Sequence, residues 1–151
     1  MAPTLASSTA PRGGAIHLDT VQVGDALPGF ETEPISRLAL ALYCGASGDH
    51  NPIHVDIDFA KAAGQPDVFA HGMLSMAYLG RLLTNWAPQA ALRKYGVRFV
   101  AITPVGARVT CRGTVVEKLT VDGEPRLRIE LSTVDQDGRI TLAGEAQIAV
   151  V

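Results

Sequence analysis

No part of this sequence carries a block of like charge: its 13 basic and 15 acidic residues are spread through 151 positions and leave a net charge of −2. That distribution excludes a basic nucleic-acid-binding tail and a polybasic membrane contact. No apolar run approaches the length of a membrane span. Residues 1–15, MAPTLASSTAPRGGA, lack the continuous apolar core of a signal peptide. They are small, polar and rich in Pro and Gly, and read as a disordered lead-in to one domain over residues 16–151. Cysteine is scarce too, with only Cys44 and Cys111. Both fall in apolar patterns, and without an export signal they read as reduced core thiols, which implies a cytoplasmic location. No internal repeat and no interior low-complexity segment is present. What remains is an ordinary globular balance, 47% hydrophobic and 19% charged, in a chain long enough for one core.

The last third alternates with a period of two. Val109, Cys111, Gly113 and Val115 interleave with polar residues, as do Leu127, Ile129, Leu131 and Thr133, and then Ile140, Leu142, Gly144, Ala146, Ile148 and Val150. Asp122-Gly123 and Asp137-Gly138 lie between these runs, a strong hairpin signal. The pattern predicts a three-strand antiparallel meander. A further strand is expected around Gly96–Ala101, and Val21–Leu27 is a candidate for pairing. Ile35, Leu38, Ala39 and Leu42 follow helical spacing, with Ser36 as a cap and Gly45 or Gly48 as a stop. A second helix is expected over Gly72–Trp86, closed by Pro88. It is apolar on most faces, which marks a buried helix. One long buried helix followed by a meander implies an α+β domain in which an antiparallel sheet wraps around that helix.

Between the helices lies SGDHNPIH (Ser47–His54), followed by AHGML (Ala70–Leu74). Pro52 removes an amide donor and holds Asn51 extended, so the first run is not an ordinary helix. Ile53 and Val55 are apolar and are expected to point inward. A carboxylate, an amide and an imidazole on a Pro-fixed turn read as an acid/base cluster or, equally, as a structural turn. His50, His54 and Asp56 suggest a metal site only on a continuous helical face, which Pro52 breaks; no metal or other cofactor is expected. Asp56 reads as a cap for the segment Ile57–Ala63, and Tyr43 as core.

The two-part motif, with YGVRFVAITPVGARV (Tyr95–Val109) beyond it, resembles the MaoC-like family of (R)-specific enoyl-thioester hydratases and 3-hydroxyacyl-thioester dehydratases. The resemblance spans roughly Pro34 to Lys118 and implies the hot-dog fold, an antiparallel sheet around one long buried helix. It implies that Asp49 and His54 hold and activate one water molecule, that Asn51 orients the water or the carboxylate, and that the Gly72 amide polarises the thioester carbonyl. The Gly72 role has separate physical sense, because amides at a helix start are unpaired and the dipole there is positive. The implied substrate is an acyl thioester of coenzyme A or an acyl-carrier protein. A homodimer or higher oligomer is expected, or a heteromer in which this chain is the catalytic partner. The fold also hosts acyl-thioesterases.

Candidates for substrate contact follow. Ser75, Ala77 and Gly80 are small residues on the second helix that either leave room for an acyl chain or mark close helix–sheet packing. His71 is either a third group at the site or the residue that orders the turn before the helix. Arg98, with Arg93 and Lys94, either meets the phosphates of the thioester handle or is solvated charge.

Overall fold

A computed structural model describes residues 14–151. The expected lead-in over residues 1–15 falls outside the described residues except for its last two. Three α-helices precede the main sheet: α1 (Arg37–Ser47), α2 (Ile57–Ala62) and α3 (Gly72–Trp86). The strands are β1 (Phe30–Glu31), β2 (Leu92–Phe99), β3 (Thr110–Val121), β4 (Glu124–Val134) and β5 (Ile140–Ala149). They form one antiparallel sheet in the order β1-β3-β4-β5-β2.

The meander follows the alternation in the sequence. Val109, Cys111, Val115, Leu127, Ile129, Leu131, Leu142, Ala146 and Ile148 are all buried and meet Leu79, Leu82 and Leu83 of α3. At the first hairpin Asp122 and Gly123 both take positive φ, 50° and 80°, as a tight primed turn between right-twisted strands requires. The hydrophobic effect therefore seats α3 in the concave face of the sheet. This is the sheet-around-helix arrangement that the periodicities imply.

Four expectations need correction. The strand expected at Gly96–Ala101 begins at Leu92 and stops at Phe99, because its partner β5 supplies a register that reaches back to Leu92. The segment Val21–Leu27 makes no strand. It runs beside β3 through irregular bonds from the Gly24 and Leu27 amides and to the Asp25 carbonyl, and regular pairing is confined to β1. The helical spacing of α1 was right but its inward face was not: Leu40 and Cys44 are buried, whereas Leu38 and Leu42 are 68% and 66% exposed. Nor is α3 buried all round, since Met73, Ala77, Arg81 and Thr84 form an exposed stripe on the side that the sheet does not reach.

Gly144 sits at an inward position of β5 opposite Val97 of β2. A Cβ there would run into the Gly96 carbonyl oxygen and lie 2.8 Å from the Val97 Cα, and both obstacles are backbone. By contrast, a Cβ at Gly45 of α1 would meet nothing within 4 Å. Gly144→Ala is therefore expected to cost about 1–3 kcal/mol as overpacking, and Gly45→Ala to stabilise by up to about 1 kcal/mol through helix propensity. Urea denaturation of the two variants checks the opposite signs.

Candidate active site

Ser36 caps α1 by accepting from the Ala39 amide, and Gly48 ends the helix in the left-handed region at φ 74°. That reversal delivers Asp49 out of the helix. Short side chains then hold the segment that follows. The Asn51 amide donates to Asp49 Oδ1 at 3.2 Å, and the Ile53 amide donates to Asn51 Oδ1 at 3.1 Å. Pro52 opens a 3-10 turn that ends at His54. Asn51 thus orients the Asp49 carboxylate through its backbone and uses its side chain as a cap. Ile53 packs against the core, whereas Val55 is 48% exposed, because the turn spends its inward direction on His54 instead.

His54 is 7% exposed, and its Nδ1 lies 2.7 Å from the Phe69 carbonyl oxygen. A carbonyl can only accept, so Nδ1 carries the proton, and Nε2 is the ring nitrogen left to present a lone pair. That Nε2 is 3.9 Å from Asp49 Oδ2, too far for a direct hydrogen bond. The Asp49 side chain is half exposed, so the gap opens toward solvent.

His71 supports this pair from below. Its ring stacks on His54 with centroids 3.8 Å apart, and Tyr43 packs against it edge-to-face with centroids 4.8 Å apart. The His71 Nε2 lies 3.3 Å from the Asp49 carbonyl oxygen and 3.4 Å from Cys44 Sγ. Nδ1 has no partner among the described residues. Asp49, His54 and His71 are grouped closely enough for their donor atoms to lie within 4.8 Å of one another. Stacked imidazoles hold their lone pairs in near-parallel planes, however, so two such rings do not converge on one ion at zinc-ligand distance. His50 is exposed and stands outside the group, and Asp56 caps α2 through the Asp58 and Phe59 amides.

Gly72 opens α3, and His71 is the residue before it. A Cβ on Gly72 would lie 2.6 and 2.7 Å from carbons of the Phe99 ring, so the missing side chain admits that ring. Beside them is a cavity of about 360 Å³ walled by Phe69, Phe99, Val100, Ile102 and Leu142, with Gly72 and Ser75 on its helix side. His54 stands just beyond it, joined to its wall through the Phe69 carbonyl, with Asp49 beside His54. The structure therefore brings together Asp49, Asn51, His54, His71, Gly72 and Ser75. It does not bring Gly80, which faces the Tyr95 ring at 3.7 Å. Arg98 lies on the other face of β2, beside Arg128, Glu130 and Glu145, while Arg93 and Lys94 are paired with Glu124 and Glu145. Phe69, Cys44 and Phe99 join the site with no signal in the sequence, because their roles rest on a carbonyl, a thiol contact and a ring edge.

Burial, and then the nearby His54, hold the His71 imidazole below its ordinary value of 6.5. A base kept neutral by folding contributes stability above its unfolded value and loses it as pH falls through that value, because only the unfolded chain takes up the proton there. The thermal midpoint is expected to fall as pH drops from 7 to about 5. His71→Asn, neutral throughout, should show a smaller fall across the same interval. Calorimetry at stepped pH checks this.

The MaoC like domain profile matches residues 20–136. The chain is 31% identical over 122 residues to the (R)-specific enoyl-CoA hydratase of Rhodospirillum rubrum, covering 77% of this chain and 80% of that protein. It is 33% identical over 109 residues to the fatty acid synthase subunit beta of Saccharomyces cerevisiae, covering 70% of this chain but spanning only 5% of that much longer protein. Among solved structures, the unliganded R-hydratase PhaJ1 of Pseudomonas aeruginosa superposes with a TM-score of 0.77 at 27% identity, covering 90% of this chain and 86% of that one. The sheet wrapped around α3 is the hot-dog fold, as in that R-hydratase structure. With the profile covering most of the chain and the motif at the centre of the site, this protein belongs to the MaoC-like domain family.

Proposed function

We propose that this chain is a hydro-lyase that interconverts trans-2-enoyl and (R)-3-hydroxyacyl thioesters of coenzyme A or an acyl-carrier protein. The observation that carries this reading is the 3.9 Å separation of Asp49 Oδ2 from His54 Nε2, with Nδ1 tied to a carbonyl. A water oxygen about 2.8 Å from each fits between them at nearly a right angle, so both of its protons find an acceptor. In hydration that oxygen adds to the β-carbon while the pair takes a proton from it. Electrons move to the acyl oxygen, which gains enolate charge against the Gly72 amide at the positive end of α3. The proton then returns to the α-carbon on the same face, so addition is syn and the water supplies both the hydroxyl and the hydrogen. Asp49 and His54 act together on the proton that this water gives up.

The cavity beside Gly72 is apolar on most walls and suits a hydrocarbon chain. We further propose that the working form is at least a dimer. Among the described residues strand β2 leaves one edge unpaired, and Phe99 at its end with Val100 and Ile102 beyond it are 55%, 49% and 43% exposed, an arrangement favourable to covering by a second chain. Light scattering should return at least twice the chain mass of 15.9 kDa; a fully active monomer would remove this part of the proposal.

The chemistry is tested by following loss of enoyl absorbance with crotonyl-coenzyme A and longer enoyl homologues. Chiral analysis of the product should return the (R) alcohol. Asp49→Asn and His54→Ala should each lower turnover by about 10²–10⁴-fold, the usual contribution of a positioned acid–base group. The double variant should be scarcely worse than either single, because each group is useless without the other. Near-normal turnover by a folded Asp49→Asn protein sinks the mechanism, and a mainly (S) product sinks the assigned geometry.

A further inference from the structure

We propose that the Ser75 hydroxyl is a second hydrogen-bond donor to the thioester carbonyl, acting beside the Gly72 amide; the inference rests on the hydratase reading of the site. Ser75 is 1% exposed, and its Oγ has no hydrogen-bond partner among the described residues. A serine within a helix commonly returns its hydroxyl to the carbonyl four positions back, here that of His71, and Ser75 does not. It borders the cavity next to Gly72, where Phe69, Phe99, Val100 and Leu142 present mainly hydrocarbon. An orphaned hydroxyl in such a wall destabilises the free protein. A polar ligand atom that completes it accounts for its presence.

The direction of the side chain identifies that atom. Helical side chains lean toward the helix N-terminus and cover the turn before their own Cα. One turn before Ser75 lies Gly72, the first residue of α3; the Phe99 ring occupies its side-chain position, and both Gly72 and Ser75 border the cavity. The hydroxyl and the Gly72 amide therefore converge on one space at the positive end of the helix. An acyl carbonyl oxygen placed there has two lone pairs and takes both donors. Both bonds strengthen as that oxygen becomes an enolate. The carbonyl is favoured over the water as the partner, because Gly72 and Ser75 line the cavity whereas His54 is held on the far side of Phe69.

The test compares the full-length enzyme with Ser75→Ala and Ser75→Thr on crotonyl-coenzyme A. Ser75→Ala should lower kcat by about ten- to a hundredfold, the factor for a lost hydrogen bond to a charged acceptor, with KM changed by less than about threefold. Ser75→Thr, which keeps the hydroxyl, should retain most of the turnover. The thermal midpoint of Ser75→Ala should stay level or rise, because an unpaired buried hydroxyl has been removed. Infrared spectra of bound, isotope-labelled butyryl-coenzyme A should show the carbonyl stretch moving back toward its solution frequency in Ser75→Ala. If Ser75→Ala does not fold, Ser75→Cys, similar in size and a weak donor, carries the same comparison. Unchanged kcat and an unmoved carbonyl stretch overturn this inference alone. Absence of enoyl turnover in the unmodified enzyme overturns the hydratase reading, and this inference with it.

Discussion

One hydrogen bond, from His54 Nδ1 to the Phe69 carbonyl, governs how the site can work. It selects the tautomer, aims Nε2 at Asp49, and fastens the loop after α1 to the segment that leads into α3. The acceptor is itself held. Phe69 bridges to Pro104, and the Ala70 amide donates to the Thr103 carbonyl at 2.9 Å. That second pairing continues toward Gly106, whose amide donates to Ile35 at the entrance of α1. The His54 ring is thus fixed by a circuit of backbone pairing, and a backbone acceptor, unlike a side chain, has no rotamer through which to let it go.

The ground beneath that bond is polar and buried. His71 and Cys44 are both buried, and they meet at the back of the His54 ring. A neutral imidazole stacked under another gives it a flat support without adding a charge that would compete for the proton. The other cysteine plays no such part: burial pushes the Cys111 thiol up to about 12, which leaves it an inert packing group on β3. The charges on the outer face of the sheet, among them Arg128 with Glu117 and Lys94 with Glu145, are exposed pairs of small energetic weight.

The meander and α3 were legible because each buries one face, and burial writes a period of two or of 3.6 into the sequence. Where burial is set by neighbours far along the chain, the pattern misled. Leu38 and Leu42 keep helical spacing but face outward, and Val21–Leu27 has the composition of a strand without its ladder. The site shows the same division. The Asp49–His54 string was readable because Pro52 and the short polar residues impose a local shape. Ser75 and Gly80 look alike in sequence, yet one borders the cavity and the other packs on Tyr95. Arg98 could not be placed either, since one step along a strand reverses the face.

Gly72 and Phe99 are separated by the whole of α3 and most of β2, yet the ring of one fills the side-chain space of the other. The two positions therefore share a single volume. Any residue larger than glycine at 72 requires the ring at 99 to move aside or to be smaller, and a smaller side chain at 99 opens the helix start to the cavity. The entrance to the helix is in this sense written twice in the chain, once as an absence and once as a ring. Reshaping that entrance means considering both positions together.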